Sequence, residues 1–315
     1  MASPKLLIDD RQAWLEARRS GISATDIAGI LGIHPYSSPR KVYLDKLGMS
    51  PEVEENDAMR FGTMMEPLIA AEFTRQTGKE ATKADFTRHA EFDHCICTPD
   101  YLIGEDELLE CKYAGINTAK QFGIVGTDEV PDQYLCQVQW QLFVTGRKVG
   151  YLMVCTPPNF TLYTIPRDDE FIRRMLFQAN KFWKEYVLRE VPPPVTGSDA
   201  DTKAIDTQYP ESNGEMIVAS YELEVPIADL ALALERKAKE DAECDRLKNI
   251  IRDAMGEAET MKSDYGNFTW KNQDRKTVDI VALAKAKNIP TEWLEEFTKV
   301  TTSRVFRTPY KTGKA

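Results

Sequence analysis

The sequence predicts an α/β (α+β) fold, a sheet flanked by helices, with a second and smaller region of helix and strand behind it. Three observations predict it. Helix-spaced and strand-like apolar patterns alternate through the first 190 residues. A stiff, turn-rich stretch, Val191-Pro192-Pro193-Pro194-Val195-Thr196-Gly197-Ser198, then interrupts them. A long helical pattern carrying interspersed charge opens the remainder. The expected division is therefore a domain over 1–190, a linker over 191–225 and an accessory region over 226–315.

Short helices are expected over 10–19, over 24–32 with Ser23 as N-cap, and over 39–47 with Pro39 at the first position. A longer helix over 62–77 carries Met65, Leu68, Ile69 and Phe73 and stops at Gly78. Strand-like runs follow at 86–89, 94–98, 101–103 and 108–113. A helix is expected over 132–145, a strand over 150–156 and a long amphipathic helix over 168–189. Beyond the linker the expected elements are one long helix over 226–255, a strand at 268–271, helices near 278–287 and 291–298, and a final strand near 304–308.

The 315-residue chain is 42% hydrophobic, enough for a sizeable core. It has no apolar run of roughly 18 residues, so no membrane helix is expected. Its first residues lack the pattern of a secretory signal. The six cysteines sit mostly in apolar stretches, contain no CxxC pair, and suit reduced thiols in a cytoplasmic protein. His34, His89 and His94 fall in no nucleophile motif, which disfavours a serine or cysteine hydrolase. The net charge of −10 excludes a uniformly basic nucleic-acid-binding surface but leaves room for a local basic groove.

The stretch Thr98-Pro99-Asp100, followed by Leu109-Glu110-Cys111-Lys112, carries the chemistry. On a strand, Glu110 and Lys112 project to one face together with Leu108, and Cys111 projects to the other. A hairpin through Gly104-Glu105-Asp106-Glu107 brings Asp100 alongside, and Pro99 suits a strand end. Adjacent carboxylates repel unless a cation neutralises them. Magnesium prefers oxygen ligands, binds phosphate and polarises water. A neighbouring lysine can orient that water, accept its proton or stabilise the developing charge. An isolated ExK is an ordinary surface tripeptide, so the reading rests on further matches. Glu66-Pro67 falls near the start of the 62–77 helix, where an acidic residue also suits the helix dipole. Gln137 and Gln141 stand four apart on a helix and can share a face.

Taken in order, Arg18…Ile22-Ser23-Ala24-Thr25, Gly62…Glu66-Pro67, Thr98-Pro99-Asp100, Glu110-Cys111-Lys112 and Tyr134…Gln137-Val138-Gln139 resemble the lambda-exonuclease/YqaJ-type viral recombinase nucleases of the PD-(D/E)XK superfamily. The resemblance spans roughly residues 10–190. It departs from the family where Lys112 is followed by Tyr113-Ala114 instead of Cys-Pro, and in the tail beyond 195.

The resemblance implies a restriction-endonuclease-like core with a central mixed sheet. It also implies Mg²⁺-dependent cutting of linear duplex DNA from 5′ ends, with Mn²⁺ able to substitute and 3′ single strands as product. Asp100, Glu110 and the main-chain carbonyl of Cys111 would then hold the metal, and Lys112 would position or activate water. Glu66 would support that network, Gln137 would line the site, and Arg18 and Thr25 would grip a 5′ phosphate. A trimeric ring, a single-strand annealing partner and a phage or prophage setting in a bacterial cell are implied as well. Arg18, Arg19, Arg40, Lys41 and Arg60 are candidates for DNA-facing charge. An endonuclease of the same fold and a non-catalytic DNA-binding scaffold are the alternatives.

Overall fold

The strand signals at 101–103, 108–113 and 150–156 fold into one five-stranded mixed sheet. The computed structural model describes residues 11–51, 56–115, 118, 120–274, 279–287, 290, 293 and 305–309. The sheet runs β1 (Thr82–Lys83), β4 (Tyr101–Ile103), β5 (Glu107–Tyr113), β6 (Val149–Thr156) and β7 (Asn159–Pro166). Only the β5–β6 pair is parallel. That pair needs a crossover, supplied by a segment that includes α5 (Asp132–Thr145). A separate two-stranded ladder joins β2 (Thr87–Arg88) to β3 (Ile96–Cys97).

Strand alternation decides which residues face which helix. Leu109, Cys111, Tyr151 and Met153 pack with Ile69 and Phe73 of α4 (Asp57–Thr77). Leu108, Leu152 and Val154 pack with Val138 and Leu142 of α5 on the opposite face. Glu110 and Lys112 share the face of Leu108, so they point towards α5. Approach there is close: a methyl on Gly150 of β6 would collide with Val138. A third core lies beyond α5, where Trp140 meets α2 (Ile27–Ile30), α3 (Pro39–Lys46) and α6 (Asp169–Phe182). Trp140 is fully buried and its indole N–H donates to the carbonyls of Ile22 and Ile96 at 3.3 and 3.2 Å. The segment after α1 (Arg11–Arg19) is thereby fixed beside β3 through the Ile22–Cys95 bridge. Gly21 is required at that crossing, since a Cβ would lie 2.7 Å from the His94 carbonyl oxygen.

The sequence reading and the structure differ at several places. Helix α4 starts at Asp57, capped by Asn56, so Glu66 lies well inside the helix rather than near its start. Asp26, not Ser23, occupies the N-cap position of α2. Helix α6 ends at Phe182 and continues as a π-helical turn, Trp183–Val187. Strand β7 was not expected. The segment read as a linker is partly structured: Ser198 accepts from the Asp201 N–H and starts α7 (Asp199–Gln208). Arg40 donates to the Pro193 carbonyl and to Gln208 Oε1, tying this segment to α3. That partly buried structural role replaces the DNA-facing one expected of Arg40.

The chain divides into two compact units, Met1–Tyr209 and Pro210–Ala315. In the second, α8 (Tyr221–Met255) begins five residues before the expected start at 226 and carries Pro226 in its first turns. Among its residues only Met255 is buried. A hairpin of β8 (Thr260–Ser263) and β9 (Gly266–Thr269) follows, then α9 (Ile280–Ala286). Residues 305–308 are not strand, and the helix expected near 291–298 lies almost wholly outside the described residues. No helix among the described residues is long and apolar enough to cross a membrane.

Candidate active site

The β4–β5 hairpin sets the site. Its register pairs Tyr101 with Leu109, which brings Asp100 opposite Glu110. Asp100 Oδ2 accepts the Cys111 N–H at 2.7 Å. Glu110 is 3% exposed, yet both carboxylate oxygens are held. Oε1 accepts from Lys112 Nζ at 2.6 Å and from Gln137 Nε2 at 2.5 Å. Oε2 accepts from Gln141 Nε2 at 2.7 Å. One helical turn separates Gln137 from Gln141, so α5 presents both amides to the same carboxylate. Gln141 Oε1 is buried without a hydrogen-bond partner.

Burial and the neighbouring Glu110 push the Asp100 carboxyl up to about 8, with a smaller contribution from Glu66. Burial works to lower the Lys112 pKa. The Glu110 and Asp100 carboxylates outweigh it and raise the ammonium above its ordinary value. Its Nζ also lies 5.5 Å from the Tyr134 ring centroid. Two carboxylates forced together, one of them reluctant to ionise, make a strong demand for a cation.

A stability test follows from this. Without divalent metal, Asp100 favours the protonated form in the fold, its pKa raised from 3.8 to about 8. The unfolded chain releases that proton near pH 4, so stability due to Asp100 is lost as pH rises towards 8. In EDTA, the melting temperature of wild type relative to Asp100→Asn is expected to fall between pH 5 and 8. A flat difference would show that Asp100 carries no such strain.

Glu66 pairs with Lys83 of β1. The lysine Nζ lies 4.9 Å from the Tyr101 ring centroid, next to Asp100 in sequence. Among the described residues, no three His, Cys, Asp or Glu side chains meet as a metal cluster. Asp100 and Glu110 form a pair, a donor set that suits an ion binding one or two carboxylates with water and phosphate. Burial raises the thiols of Cys95 and Cys136 to about 12 and those of Cys97 and Cys111 further. They are thiols packed in the core and poor metal ligands.

The Arg18–Thr25 block reaches the same region. Arg18 donates to Thr25 Oγ1 at 3.1 Å, and its guanidinium lies 4.8 Å from the Trp14 ring centroid. Arg18, Ser23 and Thr25 line a cavity of about 110 Å³ together with Gln137 and Gln141. The two glutamines thus border both this cavity and Glu110. The structure brings Asp100, Glu110, Lys112 and Gln137 together, places Glu66 at their edge through Lys83, and joins Arg18 and Thr25 through the cavity. Sequence reasoning missed Lys83, which sits in a two-residue strand without an apolar pattern. Gln141 is not among the expected site residues, although its four-residue spacing from Gln137 is the available signal.

Residues 13–148 match the YqaJ-like viral recombinase domain. The YqaJ protein of Bacillus subtilis (strain 168) is 32% identical over 257 residues, which cover 79% of either chain. Protein R354 of Acanthamoeba polyphaga mimivirus is 25% identical over 143 residues, 42% of this chain and 26% of that one. Among solved structures, the alkaline exonuclease LHK-Exo of Laribacter hongkongensis is 23% identical. The match covers 57% of this chain and 94% of that one, with a TM-score of 0.48. A phage-related exonuclease of Haemophilus somnus 129PT is 16% identical, covering 54% and 95%, with a TM-score of 0.44. The chain belongs to the YqaJ-like viral recombinase family.

Proposed function

We propose that the protein is a magnesium-dependent exonuclease that digests linear duplex DNA from 5′ ends and leaves 3′ single strands for recombination. The observation that carries this reading is the buried Glu110 carboxylate, held by Lys112, Gln137 and Gln141 beside a second, half-buried carboxyl, Asp100. Asp100, Glu110 and the Cys111 carbonyl oxygen would hold the ion, with manganese able to replace it. Bound there, the metal supplies positive charge for the scissile phosphate and a more acidic water. Gln137 and Gln141 keep Glu110 from turning away. Lys112, kept protonated by the two carboxylates, orients the attacking water and stabilises negative charge on the phosphate. Glu66 supports the network from α4.

Arg18 and Thr25 supply a guanidinium and a hydroxyl suited to the oxygens of a terminal phosphate. Arg18→Ala is expected to reduce the preference for 5′-phosphorylated over 5′-hydroxyl ends by roughly ten- to a hundredfold, in line with the 1.5–3 kcal/mol of a charged hydrogen bond. Competition between the two labelled duplexes measures it, and an equal loss on both would remove this role. Sealed circular duplex tests the exonuclease assignment. It should resist while the linearised form is consumed; cutting of the circle would favour an endonuclease. A trimeric ring around DNA and a single-strand annealing partner belong to the same reading. A strict monomer in solution mass measurements at working concentration would count against the ring.

A further inference from the structure

Behind the Arg18–Thr25 surface lies an ion pair that no step above uses. Lys46, at the end of α3, has a side chain only 3% exposed, and Asp26 has one 7% exposed. Lys46 Nζ donates to Asp26 Oδ2 at 2.5 Å and to the Arg18 carbonyl at 2.8 Å. The same Asp26 oxygen accepts the Ser23 N–H and the Ser23 hydroxyl, each at 2.7 Å. Asp26 Oδ1 lies 3.6 Å from the Arg18 guanidinium. Every one of these contacts is to the Arg18–Ser23 segment or within the pair itself.

A buried ion pair is a poor device for stability alone, because desolvation consumes most of its attraction. Burial would raise the Asp26 pKa, but Lys46 and Arg18 hold it below the ordinary value, so the carboxylate is ionised. Burial also lowers the Lys46 pKa, and Asp26, in contact at 2.5 Å, works against that; with Lys46 charged, the Arg18, Asp26 and Lys46 side chains carry a net of one positive charge. Without Lys46, Asp26 would cancel Arg18, and an arriving anion would meet a neutral site. The carboxylate also takes the single Ser23 hydroxyl proton. In the 3.0 Å contact between the Ser23 and Thr25 hydroxyls, Thr25 is therefore the donor. Its proton is the one that can turn to an incoming phosphate oxygen.

We infer that Lys46 is a positioning residue for recognition of a terminal DNA phosphate: by neutralising Asp26 it leaves Arg18 and Thr25 free to take the phosphate oxygens. This inference rests on the phosphate-end reading above. Asp26 orients the segment, and Lys46 prevents that orientation from costing the site its positive charge.

The test uses the full-length protein and short blunt duplexes with or without a 5′ phosphate, with binding measured by anisotropy in EDTA. The readout is the ratio of the two dissociation constants. Lys46→Gln removes the charge and keeps an amide donor; the phosphate preference is expected to fall about tenfold. Asp26→Asn removes the opposing charge, and the preference is expected to rise about threefold or more. The double variant should return to within a few-fold of wild type. A purely structural role would lower the preference in all three or leave it unchanged, and either pattern overturns the inference. Should Lys46→Gln fail to fold, Asp26→Asn and the double variant decide by the same signs. If wild type has no phosphate preference, the phosphate reading falls and this inference with it. If wild type prefers phosphate and Arg18→Ala loses that preference, an unmoved ratio in the three variants overturns this inference alone.

Discussion

Glu110→Ala is expected to abolish nearly all magnesium-dependent DNA hydrolysis and to weaken the fold, the largest combined effect of any single change here. The carboxylate is the point where β5 and α5 meet, receiving donors from Lys112, Gln137 and Gln141. Its loss removes one of the two side chains proposed to hold the metal and leaves Lys112, 23% exposed, without its strongest partner. Stranding a largely buried charge costs about 3 kcal/mol. Loss of the ligand should slow turnover by about three orders of magnitude or more, in line with removal of a main electrostatic contributor. Single-turnover digestion and urea denaturation of the same preparation separate the two losses. Near wild-type rates with magnesium would show that the site is elsewhere.

Lys112→Met should slow hydrolysis by about 10²–10⁴-fold, the range for removal of a group that handles protons or charge in a transition state. Its effect on folding should be smaller than that of Glu110→Ala, because Glu110 keeps its two amide donors. Methionine preserves the length of the side chain and its packing near Tyr134. The variant is therefore expected to be a folded protein that still binds DNA and divalent ions but turns over slowly. Calorimetric titration with Ca²⁺ beside a rate measurement in Mg²⁺ distinguishes this from loss of the metal site. A rate within tenfold of wild type would leave Lys112 as a partner of Glu110 and nothing more.

The site was legible because its signals are local and periodic. Alternation along β5 places Glu110 and Lys112 on one face, and helical spacing places Gln137 and Gln141 on another, so two short patterns predict the surfaces that meet. The hairpin was readable from Gly104 and the charged turn, and its register then follows. Elements without such a pattern were lost. Strand β1 is two residues long, and no periodicity marks Lys83. Helix α7 carries the cap signature Ser198…Asp201, but the preceding prolines spoke for an extended segment. Asp26 and Lys46 are twenty positions apart on different helices. As charged residues they read as surface, and only tertiary packing reveals them as a buried pair.

On the proposed reading, this carboxylate–lysine cluster cuts DNA inward from a 5′ end with a bound divalent ion. Digestion of linear duplex, labelled separately at the 5′ and 3′ termini, in Mg²⁺ or EDTA, tests it most directly. The expected result is early release of the 5′ label in Mg²⁺, a 3′ label retained on a long single strand, and no release in EDTA. Release that persists in EDTA, or that begins with the 3′ label, would contradict it.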